Sequence, residues 1–370
     1  MFFAFTRSGI LMAIIAHGLI GITLIWDKVL LRQPETKNLV SYVFWLGFIS
    51  IFGLVLIFFG FKMPALPVVA LAFGAGLLQL VSMFFYYSAL KAGEASQTLA
   101  IMGGFSPVAT ALISVPLLKN PLGGRIAEIG FALLVVGGFV MFFSEKTNVR
   151  KVLPNALLAS GTYGLVNVLQ KLVFNQTNFV SGYVFFTIGT FIGALVLLIP
   201  PSWRRQIFMT SERAEPINRF LYFVNRFFNG LGSFLVFYAI SLTAPALVDA
   251  ITGLRYVIIF AVSYALTVLR PKWLHEDFTG AVLAGKSIAT ALVVAGLVLI
   301  GLYSNSPGGT SASLVRPPIA IVVSIRSRQW GGISNSDLSE DSLFAFRPEY
   351  NRLAFGPFGL HERYWIAANT

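Results

Sequence analysis

The chain has 370 residues, 56% hydrophobic and 14% aromatic, and only 11% charged, against roughly 25% in soluble domains. That much apolar surface, with 35 Phe in it, excludes an ordinary soluble globular protein and suits a lipid bilayer. The absence of Cys excludes disulfides and thiolate metal sites, and the net charge of +12 lies mainly in short connections between apolar runs, which suits lipid headgroups better than nucleic acid.

A membrane span takes about 20 mostly apolar residues, and ten runs qualify: 9–31, 39–60, 66–90, 95–118, 125–143, 153–174, 179–199, 218–242, 246–269 and 278–303. The first is too long for the core of a signal peptide, so no cleavable leader is expected. Most connections are a few residues rich in Pro, Gly, Asn and charge, too short to fold as domains (RQPETKN, KNPLGG, RPKWLHED). The longest, from Pro200 to Pro216, carries Arg204, Arg205 and Arg213. After Ser304, SNSPGGTSAS reads as a flexible linker. The rest of the tail has no clear period, although IAIVVSI (319–325) has the composition of a short strand. Residues 305–370 are expected to be poorly ordered.

The chain repeats itself. YYSALKAGEAS (86–96) is echoed by FYAISLTAPAL (237–247), and at the same offset of 151 Ser82 matches Ser233 and Tyr87 matches Tyr238. WDKVLL (26–31) is echoed by LQKLVF (169–174), and LLVVGGFVMF (133–142) by LVVAGLVLIG (292–301). Each half thus holds five spans, and an odd number makes the halves enter the membrane in opposite directions. The expected fold is all-α and integral to the membrane, with ten transmembrane helices as two inverted five-helix repeats, residues 1–151 and 152–304. Inverted repeats are a transporter signature, with a substrate site between them near the midplane.

The Tyr87-Ser88-Ala89-Leu90 helix end, the turn of small residues after it, Phe105-Ser106-Pro107-Val108 and the Gly-rich fifth and tenth spans resemble the drug/metabolite transporter superfamily, in particular EamA-type ten-span permeases. The resemblance covers about 1–303. It departs from the family pattern at LLKNPL (117–122), where a Glu is common, and at GLRYVIIF (253–260), which lacks the Pro of the first half. It implies secondary transport of small organic molecules without ATP.

GAVLAGKS (280–287) spells the phosphate-loop pattern, but it is neither preceded by a buried strand nor followed by an apolar strand ending in Asp. A membrane helix carrying Lys286 is expected instead. Several spans carry polar stripes at helical spacing. They are Asn218, Tyr222, Asn225, Arg226, Asn229 and Ser233 on the eighth; Asp249, Thr252, Tyr256 and Ser263 on the ninth, with Arg255 at the edge; and Thr279, Lys286 and Thr290 on the tenth. Tyr163, Asn167 and Gln170 align on the sixth, with Lys171 nearby, and His17, Gly21 and Lys28 on the first. Such stripes avoid lipid, because unpaired polar groups there cost several kcal/mol. At 1.5 Å per residue Arg226 lies ~9 Å and Lys286 ~12 Å into their spans, and Arg255 ~16 Å from the same side of a ~30 Å core. Three cations thus approach one level with too little carboxylate to neutralise them, which calls for an anionic substrate or water.

The substrate-binding candidates are therefore Asn167, Arg226, Asn229, Asp249, Arg255, Tyr256 and Lys286, and the candidates for proton coupling are His17 and Asp249. Plainer readings stand beside them. Polar stripes also join helices, and GTFIG (189–193) is a helix-contact pattern. A packed, hydrogen-bonded role suits His17, and snorkelling suits Lys28 and Lys171. Snorkelling and function are equally open for Lys286. No enzyme signature is present, and with three His and no Cys no metal site or cofactor is expected. The expected partners are a small-molecule substrate and the lipid bilayer, not nucleic acid, with a homodimer left open. The expected location is the plasma (inner) membrane. Charges near the helix ends favour termini outside, while the family resemblance implies termini inside. The expected function is secondary transport of a small organic solute by alternating access, the recognised part of the solute being anionic or strongly electron-rich; the alternative is a membrane interaction or scaffold protein.

Overall fold

The computed structural model describes residues 8–31, 38–92, 95–118, 125–144, 149–212, 216–269 and 280–304. The chain divides into Met1–Leu314 and Val315–Thr370, and every described residue lies in the first. The expected tail strand and linker fall outside the described residues, as do the side chains of Lys28, Asn218, Ser263 and Thr279.

The described residues are helical, with no strand. In chain order the helices are α1 (Gly9–Leu31), α2 (Leu39–Ile49), α3 (Leu66–Ala92), α4 (Ala95–Leu118), α5 (Arg125–Ser144) and α6 (Val149–Phe174). They continue with α7 (Phe179–Val196), α8 (Pro201–Glu212), α9 (Pro216–Leu242), α10 (Pro245–Ala250), α11 (Gly253–Leu269) and α12 (Gly280–Ser304). Eight stretches are long and apolar enough to cross a membrane, and Gly9–Leu24 is a shorter apolar helix. Ten spans are not reached on this count.

Two expectations are corrected, and one connection gains a helix. The second span is not one α-helix. It tightens into a 3-10 helix over Ser50–Phe58, where the Ser50 hydroxyl donates to the carbonyls of Gly47 at 2.6 Å and Thr187 at 3.0 Å, and Gly53 lies so close to Thr187 that a Cβ would meet its Cγ2 at 2.6 Å. The connection after α7, given no secondary structure in the sequence reading, holds a helix. Pro201 starts α8, whose Ile207 is buried while Arg204 and Arg205 stay exposed. The ninth span is broken into α10 and α11. The phosphate-loop pattern lies wholly inside α12, so its backbone is helical from its first residue rather than looped.

Caps and glycines fix the remainder. Asn38 accepts from Val40 N–H at 3.0 Å and Ser41 N–H at 3.3 Å to start α2, and Asn178 accepts from Ser181 N–H at 2.8 Å to start α7. In the connection before α3, Gly60 takes φ +87, a left-handed conformation that costs other residues energy. At the α3–α7 crossing, Gly76 faces the Phe186 carbonyl and Gly189 the Phe73 carbonyl, leaving no room for a Cβ on either. The GTFIG run is therefore a helix contact. Along α5 and α12, Gly130 meets Gly296 and Ile300, Gly137 meets Ala289 and Val293, and Ser144 meets Gly285. The rising numbers on one helix against falling numbers on the other make this seam antiparallel. Small residues let the backbones approach where lipid supplies no hydrophobic drive.

Candidate functional site

The break in the ninth span builds the site. In a continuous helix the Thr252 N–H would bond the Val248 carbonyl. Here it turns to the Asp249 carbonyl at 3.0 Å, and the N–H groups of Leu254 and Arg255 bond Ile251 and Thr252, both at 2.9 Å. The tightened turn releases the Val248 carbonyl. His17, reaching in from α1, takes it through Nε2 at 2.9 Å. The Nδ1 of the same ring receives the Arg255 Nε–H at 2.9 Å. Arginine only donates, so Nδ1 is the acceptor and Nε2 carries the proton. One histidine thus bridges α10 and α11 across their break.

Asp249, the penultimate residue of α10, is buried. Its Oδ2 accepts from the Thr110 hydroxyl of α4 and its Oδ1 from Asn167 Nδ2 of α6 at 2.6 Å. α4 and α6 meet closely here, since a Cβ on Gly164 would stand 2.8 Å from Thr110 Oγ1. Across the turn, Tyr256 donates its hydroxyl to the Leu99 carbonyl, and its ring lies against Gly103 with no room for a Cβ.

These groups border an internal cavity of about 100 Å³. His17, Asn167, Asn229, Asp249, Arg255 and Tyr256 all line it, together with Gln79, Tyr86, Tyr163 and Ser233. A drug-sized site needs about 300–1,000 Å³, so this conformation admits a small solute, part of one, or several waters. Among the described residues, His17 is the one acceptor for Arg255, and Nη1 and Nη2 have no protein acceptor. Gln79 Oε1 and the Tyr86 hydroxyl have no partner either, although these residues are only 5% and 7% exposed. Buried polar groups need hydrogen bonds, and these two oxygens stand unpaired in the cavity wall, themselves closed to water, beside the Arg255 guanidinium.

The other expected site residues lie elsewhere. Arg226, 3% exposed, does not line the cavity. It donates to the Tyr87 hydroxyl at 3.0 Å and lies over the rings of Tyr42 (5.2 Å) and Tyr222 (5.5 Å). Lys286 is buried on α12 and is also absent from the cavity wall. The three cations of similar depth therefore do not share one chamber. Lys171 does not snorkel. Its ammonium donates to the carbonyls of Ile240 at 3.0 Å and Ser241 at 3.1 Å, capping the C-terminal end of α9. Asn229 donates to Thr23 Oγ1 at 3.1 Å. The sequence reading missed Gln79, Tyr86 and Thr110. Gln79 gave a usable signal, as an amide inside an apolar span; Thr110 gave little, because hydroxyl residues are common in membrane helices.

Residues 7–143 match the EamA-like transporter family, whose members are transporters. No curated protein matches the chain. Among solved structures, one crystal structure aligns with a TM-score of 0.51 at 17% identity, covering 80% of this chain and 97% of that one. Identity that low speaks for the fold alone. The resemblance to the drug/metabolite transporter superfamily is thus shown, and the chain is an integral, multi-pass membrane protein.

Proposed function

We propose that the chain is a secondary transporter built as two inverted five-helix repeats, residues 1–151 and 152–304, which moves a small organic solute with an anionic group through the cavity by alternating access. The broken α10–α11 segment counts as the ninth span and α12 as the tenth. The observation that carries this reading is the pairing of helices. The heaviest helix contacts include α3 with α6, α1 with α9, and α5 with α12. Exchanging the halves turns third-on-sixth into eighth-on-first and leaves fifth-on-tenth unchanged, as an approximate two-fold relation requires. Interhelical contacts of this kind surround a cavity drawn from both halves, which is where inverted-repeat transporters bind their cargo.

The anionic group is inferred from the open Arg255 edge, since guanidinium forks carboxylate or phosphate in a bidentate fashion. The plasma membrane is the proposed location. The experiment is reconstitution of the purified chain into liposomes with an imposed solute gradient. Solute should cross without ATP, and strict ATP dependence would sink the reading. A parallel scan uses the absence of native Cys. Cysteines at Gln79, Ser106, Asn229 and Ser233 should react with aqueous thiol reagents, and uniform protection would favour a scaffold instead.

A further inference from the structure

Arg255 has two edges able to fork an anion: Nε with one Nη, and Nη1 with Nη2. His17 closes the first by accepting from Nε at 2.9 Å. The second is left without a protein acceptor among the described residues, on a residue that lines the cavity. The ring is held in turn. Its Nε2–H is spent on the Val248 carbonyl at 2.9 Å, which the break after α10 leaves without its usual helical N–H partner. The backbone is confined too, as a Cβ on Gly21 of α1 would stand 3.4 Å from the Arg255 Cα.

We propose that His17 is a positioning residue for solute binding: its hydrogen bonds to Arg255 and to Val248 set the guanidinium so that the Nη1–Nη2 edge faces the cavity and grips a carboxylate end-on. This rests on the reading of the cavity as an anion-accepting transport site. His17 borders the cavity, but both of its ring nitrogens are engaged by Arg255 and Val248, so it acts on the anionic group through Arg255. A long side chain bearing a guanidinium loses much rotamer freedom on being fixed, and an arginine fixed beforehand spends less of its binding energy on ordering. The inference also separates two roles that share one residue. A proton carrier needs a ring that exchanges its proton with solvent, whereas a buttress needs Nδ1 to remain an acceptor.

The test uses the full chain in lipid nanodiscs, with propionate and its uncharged counterpart propionamide as probes, titrated by thermal shift. Wild type should bind propionate more tightly than propionamide. His17→Leu, which removes both hydrogen bonds, should weaken propionate about tenfold, the scale of a bidentate grip reduced to a single charge-assisted bond, and should weaken propionamide distinctly less, because the uncharged amide makes no charge-assisted fork. His17→Gln carries an acceptor and a donor on one amide and should recover most of the lost affinity. Nitrogen-15 spectra of histidine-labelled protein, with the His17 signal identified by its loss in His17→Gln, should show Nε2 protonated and Nδ1 bare.

If His17→Leu binds propionate as wild type does, or loses both probes equally, His17 does not position Arg255, while the anion site itself stands. A protonated Nδ1 would overturn the positioning role even if His17→Leu failed to fold. If wild type does not distinguish the two probes, the anion-site reading fails first and takes this inference with it.

Discussion

The two buried arginines give the sharpest separation of roles. Arg226→Met and Arg255→Met remove the same charge and keep a similar apolar stem, but the structure assigns them different losses. At Arg226 the substitution removes a charge-assisted hydrogen bond to Tyr87, about 1.5–3 kcal/mol, and two ring faces, Tyr42 and Tyr222, worth about 0.5–2 kcal/mol each. It also relieves the cost of burying a guanidinium, several kcal/mol. These opposing sums leave a net destabilisation of about 1–3 kcal/mol, within the usual range for a disrupted buried network. Solute affinity should change little, because Arg226 does not line the cavity. At Arg255 the one hydrogen bond lost among the described residues is to His17, about 0.5–1.5 kcal/mol. The larger loss should fall on the proposed anionic solute, about 1.5–3 kcal/mol, or ten- to a hundredfold in affinity. Thermal unfolding in detergent and solute titration, run on both variants, measure the two columns. If Arg226→Met lost as much affinity as Arg255→Met with its melting point unchanged, the aromatic cage would belong to the solute path and the assignment would be wrong.

Three further outcomes follow from single contacts. Lys171→Met leaves the carbonyls of Ile240 and Ser241 without their donor, and should cost about 1–3 kcal/mol of thermal stability with solute affinity within about twofold of wild type. Asp249→Asn should keep most of the stability, since its amide can accept from Asn167 and donate to Thr110, whose hydroxyl can turn to accept; Asp249→Ala strands both partners and should cost about 2–4 kcal/mol, so equal melting points for the two would refute the described network. Gly103→Ala pushes a Cβ into the Tyr256 ring and should destabilise by about 1–3 kcal/mol, more than Tyr256→Phe, which loses only the bond to the Leu99 carbonyl; the reverse order in thermal unfolding would show that the crossing is looser than described.

Much of the helical layout was legible because apolar run length is set by the membrane. The fourth run, 95–118, coincides with α4, and the first, 9–31, with α1. What hydropathy cannot see is a change of hydrogen-bond partner inside an apolar run. PALVDAITGLRYVIIF is apolar throughout apart from Asp249, Thr252 and Arg255, and its break shows in no average of composition. Helical depth likewise fixes only one coordinate. It set Arg226, Arg255 and Lys286 at similar levels but left open which neighbour each faces. α12 packs along α5 through Gly285 and Ser144, so Lys286 lies off the cavity wall. The Asn229–Ser233 end of the α9 stripe reaches the cavity, and Arg226, one turn earlier, reaches the tyrosines instead. Asn167, Asp249 and Arg255 were legible because polar groups inside a span need partners.

The two proposed halves differ in chemistry. At the offset of 151, Asp249 corresponds to Thr98 and Arg255 to Gly104, so the charged pair has no counterpart on α4. α4 is one helix despite Pro107, whereas the ninth span breaks at 251–252 with no Pro at the break. Each end of that break has its own main tie: Asp249 is bonded to α4 and α6, while the Arg255 backbone lies against α1, which packs along α9; His17 of α1 and the Tyr256 contact with α4 link the two ends. If alternating access moves these two groups past each other, the turn at 251–252 is where the chain must flex. Gly253→Ala tests this. Alanine favours helix over glycine by about 1 kcal/mol, and its Cβ would stand 3.1 Å from Val293 Cγ2, so the valine must yield by a few tenths of an ångström. Stability should stay within about 1 kcal/mol of wild type, the propensity gain set against the crowding. The transport rate in liposomes should fall several-fold while solute affinity holds, because a stiffer turn slows reorientation without touching the cavity wall. An unchanged rate at unchanged affinity would mean that the break shapes the site and does not bend, and that the moving contact lies between helices rather than within this one.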